Sequence, residues 1–305
     1  MAADHLTNDT IKKAAHMLGF DGCGISSAFV PDSIKVKYEK AISLPGYQAL
    51  EYIRKNLRLR FAPDLLVENA LSVISLFAYY SFIPDSKKNV HIARYAHSSD
   101  YHLVLKNQAY KLLKKLQEYD NSVEGRVFVD SGPVMEKHFA VLSGIGFQGK
   151  NTCIIHPRLG SFGFLCEILI NKKVEYDTPV PYSCGDCSLC VDACPTSALR
   201  DYQLNPEKCI SFHTIENKQS VPEEIRARAP QLWFGCDICQ EVCPYNKIQM
   251  DSRFFIPENA VQDLSYDELV NMNEENFKEC FSKTPLGRAG LKKLRNSAGI
   301  KDKDI

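Results

Sequence analysis

The sequence lacks an excess of charge of either sign, an export signal and a membrane-spanning segment. Lysine plus arginine and aspartate plus glutamate both number 37, so the formal net charge is zero, which excludes a uniformly basic nucleic-acid coat and an acidic disordered tail. The N-terminus has no basic region followed by an apolar one and no twin-arginine pair, so no export signal is predicted. The most apolar window, residues 65–83, includes Glu68 and Asn69 and lacks the roughly 20 apolar residues of a membrane span. We therefore expect a cytoplasmic protein without a membrane segment.

Cysteine, in contrast, is abundant and unevenly distributed. Eight of the 12 cysteines fall between Cys184 and Cys243. In a reducing compartment, such a group indicates metal ligands rather than disulfides. The other four stand alone and are predicted to be small buried hydrophobic residues: Cys23, Cys153, Cys166 and Cys280.

The first half of the cysteine-rich block has the spacing of a bacterial ferredoxin loop. Cys184, Cys187 and Cys190 are three positions apart, and Cys194 follows four positions later, directly before a proline. In ferredoxins the first three cysteines bind one [4Fe–4S] cluster and the fourth binds the other. This motif therefore predicts two clusters rather than one.

The second half repeats the motif with one cysteine missing. Cys236, Cys239 and Cys243 are in place, but Trp233 occupies the first position, so Cys209 is needed to complete the ligand count. Zinc is the alternative, because two Cys-x-x-Cys pairs can form a tetrahedral site. The triple spacing followed by Cys–Pro favours iron–sulfur clusters and hence electron transfer. The predicted ligands are Cys184, Cys187, Cys190 and Cys243 for cluster 1, and Cys194, Cys209, Cys236 and Cys239 for cluster 2.

Outside this block, helical and strand-like patterns alternate. We predict an α+β fold: a mixed α/β domain over residues 1–178, a ferredoxin-like two-cluster domain over 179–250 and a helical segment over 251–305 that packs back on the core. The buried side of a helix over residues 101–119 is expected to carry Leu103, Leu112, Leu113 and Leu116. Buried strands are expected at 71–80, 126–130, 152–155 and 162–170, and another helix is expected to start at 131–133 with its proline in the first turn.

Three sequence features are ambiguous on local grounds. Residues 144–149 match G-x-G-x-x-G, but a helix precedes them, so a helix-terminal glycine and a turn are predicted. Asp130 follows a strand, where α/β proteins place ligands, and an N-terminal helix cap is the competing interpretation. His97 and His102 are expected at the surface or as caps.

Several segments together make a family recognisable. Cys209–Glu216, Val221–Arg226, Phe234–Asn246, Arg94–His102 and Asp130–Glu136 closely resemble the epoxyqueuosine reductases, which are cobalamin-dependent iron–sulfur enzymes of tRNA modification. The resemblance runs over nearly the whole chain, and residues 184–246 are its most specific part.

The resemblance implies a reaction and a site. The family reduces the epoxide of epoxyqueuosine at the tRNA wobble position to the alkene of queuosine, using two electrons and two protons and releasing water. By resemblance, the clusters supply electrons to a cobalamin in the N-terminal domain, and Asp130 is the proton donor. The cobalamin is expected near Asp130, Lys150, Ile154, Leu165 and Ser211. The implied partners are the tRNA anticodon loop and an external low-potential electron donor, and a monomer is expected.

Two other functions remain open from the sequence. A cobalamin reductive dehalogenase shares the order of domains but is usually exported, and a non-catalytic electron-transfer subunit would need no cofactor pocket. Family members commonly carry a further helical-repeat domain that helps hold tRNA, whereas this sequence ends at Ile305. Two basic groups could contact tRNA or could equally be solvated helix faces: Arg288, Lys292, Lys293, Arg295, Lys301 and Lys303, and Lys106, Lys111, Lys114 and Lys115.

Overall fold

The computed structural model describes residues 6–80, 90–248 and 250–300. Its α-helices are α1 Asn8–Met17, α2 Asp32–Ile42, α3 Glu51–Arg54, α4 Leu57–Phe61, α5 Tyr101–Tyr119, α6 Glu136–Leu142, α7 Leu189–Asp192, α8 Glu223–Arg226, α9 Ile238–Glu241, α10 Asn259–Asp263, α11 Tyr266–Asn271, α12 Glu274–Phe281, α13 Pro285–Ala289 and α14 Leu291–Ser297. Its strands are β1 Gly22–Ser27, β2 Ser72–Tyr79, β3 His91–Ile92, β4 Gly125–Phe128, β5 Phe147–Gln148, β6 Ile154–Ile155, β7 Gly163–Ile170, β8 Leu199–Arg200, β9 Gln203–Leu204 and β10 Leu232–Phe234.

An antiparallel sheet in the order β1-β2-β7-β4 organises the N-terminal part. Every residue of β2 is buried, because helices cover both faces. Helices α1 and α5 pack on one face and α6 packs on the other. The predicted mixture of helices and strands is confirmed, whereas the division into three domains stays a prediction.

Helix α5 is important because its first turn reaches the candidate site. The Asp100 side chain accepts a hydrogen bond from the backbone N–H of His102 at 3.0 Å and so caps the helix. The predicted bounds are confirmed, but Leu103 does not lie on the buried side, since it is 68% exposed. Leu105 and Ala109 occupy that side instead, together with the three remaining leucines of the prediction.

The cysteine-rich block folds as two similar halves. Helix α7 carries Cys190, α9 carries Cys239, and these one-turn helices contact each other. Asn246 joins the block to the N-terminal part by accepting a hydrogen bond from the backbone N–H of Ser161 at 2.6 Å. The cluster region and the sheet are therefore in direct contact.

The C-terminal helices form a second hydrophobic core with residues from both preceding parts. Phe277, Phe281 and Leu294 pack in one cluster with Ile92 and Trp233. A short parallel pairing of β3 with β10 lies beside this core. Among the described residues, no helix combines the length and apolar character needed to cross a bilayer.

Candidate active site and cysteine centres

Asp130 lies at the turn that follows β4. Its backbone is left-handed, with φ of 55°, a conformation that costs a residue with a side chain roughly 1 kcal/mol or more. The backbone N–H of Asp130 donates to Glu136 Oε1 at 2.6 Å, which helps offset this cost. The side chain is 59% exposed, although the residues around it still desolvate its carboxyl group.

The first turn of α5 supplies the polar partners of Asp130. Tyr101 Oη donates to Asp130 Oδ2 at 2.6 Å, and His102 Nε2 lies 3.3 Å from the same oxygen. On its other side, His102 Nδ1 lies 2.8 Å from Asp100 Oδ1. The imidazole therefore sits between two carboxyl groups, and the aromatic ring of Phe164 stacks on Tyr101 with centroids 4.1 Å apart.

This arrangement shifts the pKa values of Asp130 and His102 in opposite directions. Burial acts to raise the pKa of Asp130, but hydrogen bonds from His102 and Tyr101 outweigh it and hold that pKa below its usual value. Burial acts to lower the pKa of His102, but hydrogen bonds to Asp100 and Asp130 raise it above the usual value. Together the two shifts favour an ionised Asp130 and a protonated His102, while the charge of Arg288 acts to lower the pKa of His102.

Charged and phenolic groups surround this pair. Arg288 Nη1 of α13 lies 2.7 Å from His102 Nδ1 and 3.9 Å from Asp100 Oδ1. Burial, and next the charge of Asp130, raises the pKa of Glu216. The site therefore draws side chains from the N-terminal part, the cysteine-rich block and the C-terminal helices.

The structure corrects two local interpretations of the sequence. Asp130 does not cap a helix, because α6 begins only at Glu136 and residues 131–135 form a loop. His102 is not a surface residue, and neither is His97, whose Nε2 lies 2.9 Å from the carbonyl oxygen of Ile92. The interpretation of residues 144–149 is confirmed, since Gly144 follows the end of α6 with φ of 74°.

Four cysteines line one cavity. It has a volume of about 350 Å³ including its solvent-open part, and it is bordered by Cys184, Cys187, Cys190 and Cys243. These thiols line the cavity. In the described parts of the chain, no three His, Cys, Asp or Glu side chains are close enough together to bind a single metal ion. Burial, together with the neighbouring thiols, raises the pKa of Cys190 to about 11. A cationic iron centre is what would deprotonate such thiols.

The other four cysteines form a second group. Burial and the nearby thiols of Cys209 and Cys194 raise the pKa of Cys236 to about 12. Burial also raises the pKa of Cys239, and after burial the thiols of Cys153, Cys236 and Cys209 contribute. The division of the eight cysteines into two ligand sets stays a prediction.

Two of the expected cobalamin contacts, Lys150 and Ile154, lie in the turn at residues 150–154, between the cysteines and α6. The backbone N–H of Lys150 approaches Cys184 Sγ at 3.4 Å, and Lys137 Nζ donates to the carbonyl oxygen of Thr152 at 3.0 Å. Ile154 is buried at the end of this turn.

The two remaining expected contacts are Leu165 and Ser211. Phe128 pairs with Glu167, so continuing the β4–β7 register by two residues would place Asp130 opposite Leu165. Ser211 directly precedes the one-turn π-helix Phe212–Glu216.

The four isolated cysteines differ from one another. Cys166 is buried as predicted, whereas Cys280 is exposed, so that prediction is wrong. Cys23 and Cys153 are partly buried. Burial raises the pKa of Cys153, and its thiol also interacts with Cys243 and Cys209. Cys153 is therefore a ninth cysteine beside the predicted ligands.

Comparisons with known proteins agree on one family. The family model described as "4Fe-4S double cluster binding domain" matches residues 183–246, and the one described as "Epoxyqueuosine reductase QueG, DUF1730" matches residues 60–131. The epoxyqueuosine reductase of Cyclobacterium marinum is 39% identical over 285 residues, covering 91% of this chain and 91% of that protein.

Solved structures agree with the sequence relatives. Epoxyqueuosine reductase from Bacillus subtilis, solved with the loop of its catalytic aspartate swung out of the active site, superposes with a TM-score of 0.86 at 30% identity, covering 95% of this chain and 79% of that one. An epoxyqueuosine reductase solved with an epoxyqueuosine-modified tyrosine tRNA stem loop gives a TM-score of 0.82 at 29% identity, with the same coverage. With identity above 30% across nearly the full length of both proteins, the chain belongs to the epoxyqueuosine reductase family.

Proposed function

We propose that this chain reduces epoxyqueuosine in tRNA to queuosine. The observation that carries the proposal is the contact of Asp130 with His102 and Tyr101, in a chain whose cysteine-rich block lines a cavity with four of its cysteines. The reaction adds two electrons and two protons to an epoxide and yields an alkene and water. A proton source and an electron relay are the two things it requires.

The cysteine sets fit the electron relay. Eight thiols in two groups are the donor set of two [4Fe–4S] clusters, and the double-cluster family model covers the same residues. Such clusters pass one electron at a time, whereas cleavage of the carbon–oxygen bonds consumes two. An external low-potential donor would refill the clusters.

A two-electron carrier is therefore needed between the clusters and the substrate. Cobalamin, when bound, supplies this chemistry because its cobalt can accept electrons singly and deliver a pair. The residues fit such a group, since the turn at residues 150–154 contacts both a cluster cysteine and α6. Lys150, Ile154, Leu165 and Ser211 would hold it beside Asp130.

The polar residues of the site would manage the proton. The Asp130 side chain is exposed, and a protonated His102 would pass its proton to Asp130 Oδ2, which lies 3.3 Å from His102 Nε2. A bound corrin and nucleobase would exclude water from Asp130, which favours its neutral, protonated form. Asp130 would then protonate the epoxide oxygen as the ring opens.

Conversion of the substrate tests this function directly. The purified protein with its clusters, incubated anaerobically with cobalamin, a reductant and epoxyqueuosine-containing tRNA, is expected to produce queuosine by nucleoside mass spectrometry. Omission of cobalamin is the matched control and should give no product. Conversion that is equally fast without cobalamin would remove the cofactor from the proposal, and no conversion in either sample would refute the function.

Binding of tRNA would draw on fewer basic residues than the sequence suggested. Lys293 Nζ donates to the backbone carbonyls of His213 and Asn217, and Arg295 donates to three backbone carbonyls at the end of α11. Both hold the fold together and are not available for phosphates. Lys301 and Lys303 lie outside the described residues. Of the two remaining residues, Lys292 is exposed on α14 and Arg288 lies beside His102.

Arg288→Gln is expected to weaken tRNA binding and to reduce its salt dependence. Loss of one phosphate contact should lower the slope of log Kd against log salt by about 0.7–0.9, because Arg288 is half exposed beside His102. Filter binding of the tRNA stem loop at several salt concentrations measures this slope. Lys278→Gln on the exposed surface of α12 is the control and should leave it unchanged. Equal slopes for both variants would place Arg288 outside the tRNA interface.

A further inference from the structure

Two glutamates lie directly behind the Asp130 loop. Glu136 is the first residue of α6, and Glu167 is in the middle of β7. Glu167 is 0% exposed and is paired across the sheet with Ser75 and Phe128. A glutamate in the centre of a covered sheet is costly unless it is protonated or paired, so its presence calls for a physical role.

The two carboxyl groups interact electrostatically. In the described part of the chain, neither oxygen of Glu167 has a hydrogen-bond partner, and the charged group that acts most strongly on Glu167 is the carboxyl of Glu136. Two neighbouring carboxyl groups can share a hydrogen bond only if one carries a proton. Burial raises the pKa of Glu167 well above its usual value, and the charge of Glu136 adds to the effect. Glu167 is thus the protonated partner.

The other side of Glu136 reaches the site. Its Oε1 accepts the backbone N–H of Asp130 at 2.6 Å, at the residue whose φ of 55° makes the loop unfavourable on its own. Glu136 accepts from Asp130, and a protonated Glu167 could donate to it at the same time. Burial raises the pKa of Glu136 to about 7, and in either protonation state one of its oxygens can accept the Asp130 N–H.

We propose that Glu136 and Glu167 form a carboxyl pair that fixes the Asp130 loop, with Glu167 acting as a permanent O–H donor and Glu136 as the positioning residue for Asp130. The role in catalysis rests on the proposed function, whereas the structural contact does not. The Asp130 side chain is otherwise held by bonds to Tyr101 and His102, which substrate could displace, and further along the loop Arg60 Nη1 donates to the carbonyl oxygen of Val134 at 3.1 Å. The pair would keep the backbone of Asp130 in place when those bonds change.

Substitutions of matched size separate this role from simple space filling. Glu136→Gln keeps an acceptor oxygen for Asp130 and an N–H₂ group for the carbonyl of Glu167, whereas Glu136→Leu fills similar space without an acceptor. Glu167→Gln replaces the permanent O–H donor with an N–H donor. We expect the Asp130 loop to be similarly stable in wild type, Glu167→Gln and Glu136→Gln. We expect it to be much less stable in Glu136→Leu.

Hydrogen exchange reports on the pair without any substrate. In the protein with its clusters, the Asp130 amide is expected to exchange at least about 10-fold faster in Glu136→Leu than in wild type, since its acceptor is gone. Both glutamine variants should stay within about 3-fold of wild type. Unchanged exchange in Glu136→Leu, with iron content and melting temperature retained, would overturn the proposal, as would exchange in Glu167→Gln as fast as in Glu136→Leu.

Kinetics then test the positioning role. Glu136→Leu is expected to lower kcat by about 10–100-fold with the KM for tRNA within 2-fold, because a misplaced donor affects the chemical step rather than binding. Glu136→Gln should restore most of the rate. A loss that is equal in both Glu136 variants would refute positioning through the acceptor. If wild type converts no tRNA, the proposed function fails, and the exchange result still decides whether the pair holds the loop.

Discussion

Asp130→Asn is expected to lower kcat for epoxyqueuosine reduction by about 10²–10⁴-fold, the contribution typical of a general acid. Asparagine keeps the size of the side chain and tolerates a left-handed backbone such as that at Asp130, so the loop should keep its conformation. It cannot, however, release a proton to the epoxide oxygen. Single-turnover assays under anaerobic conditions, with nucleosides quantified by mass spectrometry, measure the effect.

The iron content and the affinity for tRNA separate this loss from misfolding. Both should match wild type, because Asp130 contacts Tyr101 and His102 rather than the cysteines. Asp32→Asn removes an exposed carboxylate on α2 and serves as the matched control with full activity. A wild-type rate in Asp130→Asn would show that the proton comes from another group.

Cys209→Ser is expected to remove one cluster and abolish turnover. Cys209 is the ligand that the sequence supplies where Trp233 replaces the usual cysteine, and its thiol lies among those of Cys194 and Cys236. Each cluster holds four irons, so the iron content should fall from about eight to about four per chain. Iron analysis, together with electron paramagnetic resonance of the reduced protein, measures this directly.

Two other cysteines provide the controls for this experiment. Cys280→Ser changes an exposed cysteine on α12 and should retain all iron and activity. Cys153→Ser tests the competing assignment, because the Cys153 thiol interacts with those of Cys243 and Cys209 and could serve as a substitute ligand. Loss of four irons in Cys153→Ser but not in Cys209→Ser would reverse the assignment of the eighth ligand.

The sequence predicted correctly those structural features that depend on residues close together in the chain. Helix α5 begins and ends where predicted because Asp100 caps it and its apolar residues recur at helical spacing. The grouping of eight cysteines followed from spacing and ligand counting, and the cavity formed by one set agrees with that grouping. Strand β2 was recognisable because a continuous apolar run favours a strand covered on both faces.

Long-range contacts account for what the sequence left out. A helix was expected at Pro133, but residues 131–135 form a loop, whose Val134 carbonyl accepts a hydrogen bond from the distant Arg60. His102 looked like a capping residue until the fold brought it to Asp130, 28 positions later in sequence. Lys293 and Arg295 looked like a basic face, yet backbone carbonyls of distant segments occupy both.

The parallel pairing of β3 with β10 has a consequence for how the enzyme is assembled. Asp237, placed between Cys236 and Cys239, accepts the backbone N–H of Arg94 at 2.7 Å, and Ala93 donates to the carbonyl of Phe234 at 2.7 Å. The segment that follows β3 and leads to Asp100 and His102 is thus hydrogen-bonded to the segment around Cys236 and Cys239, which would bind iron. Since metal ligation and local folding are coupled in such segments, iron delivery also becomes a step in maturation of the substrate pocket. A cell starved of iron would then accumulate a protein impaired in recognition as well as in electron supply.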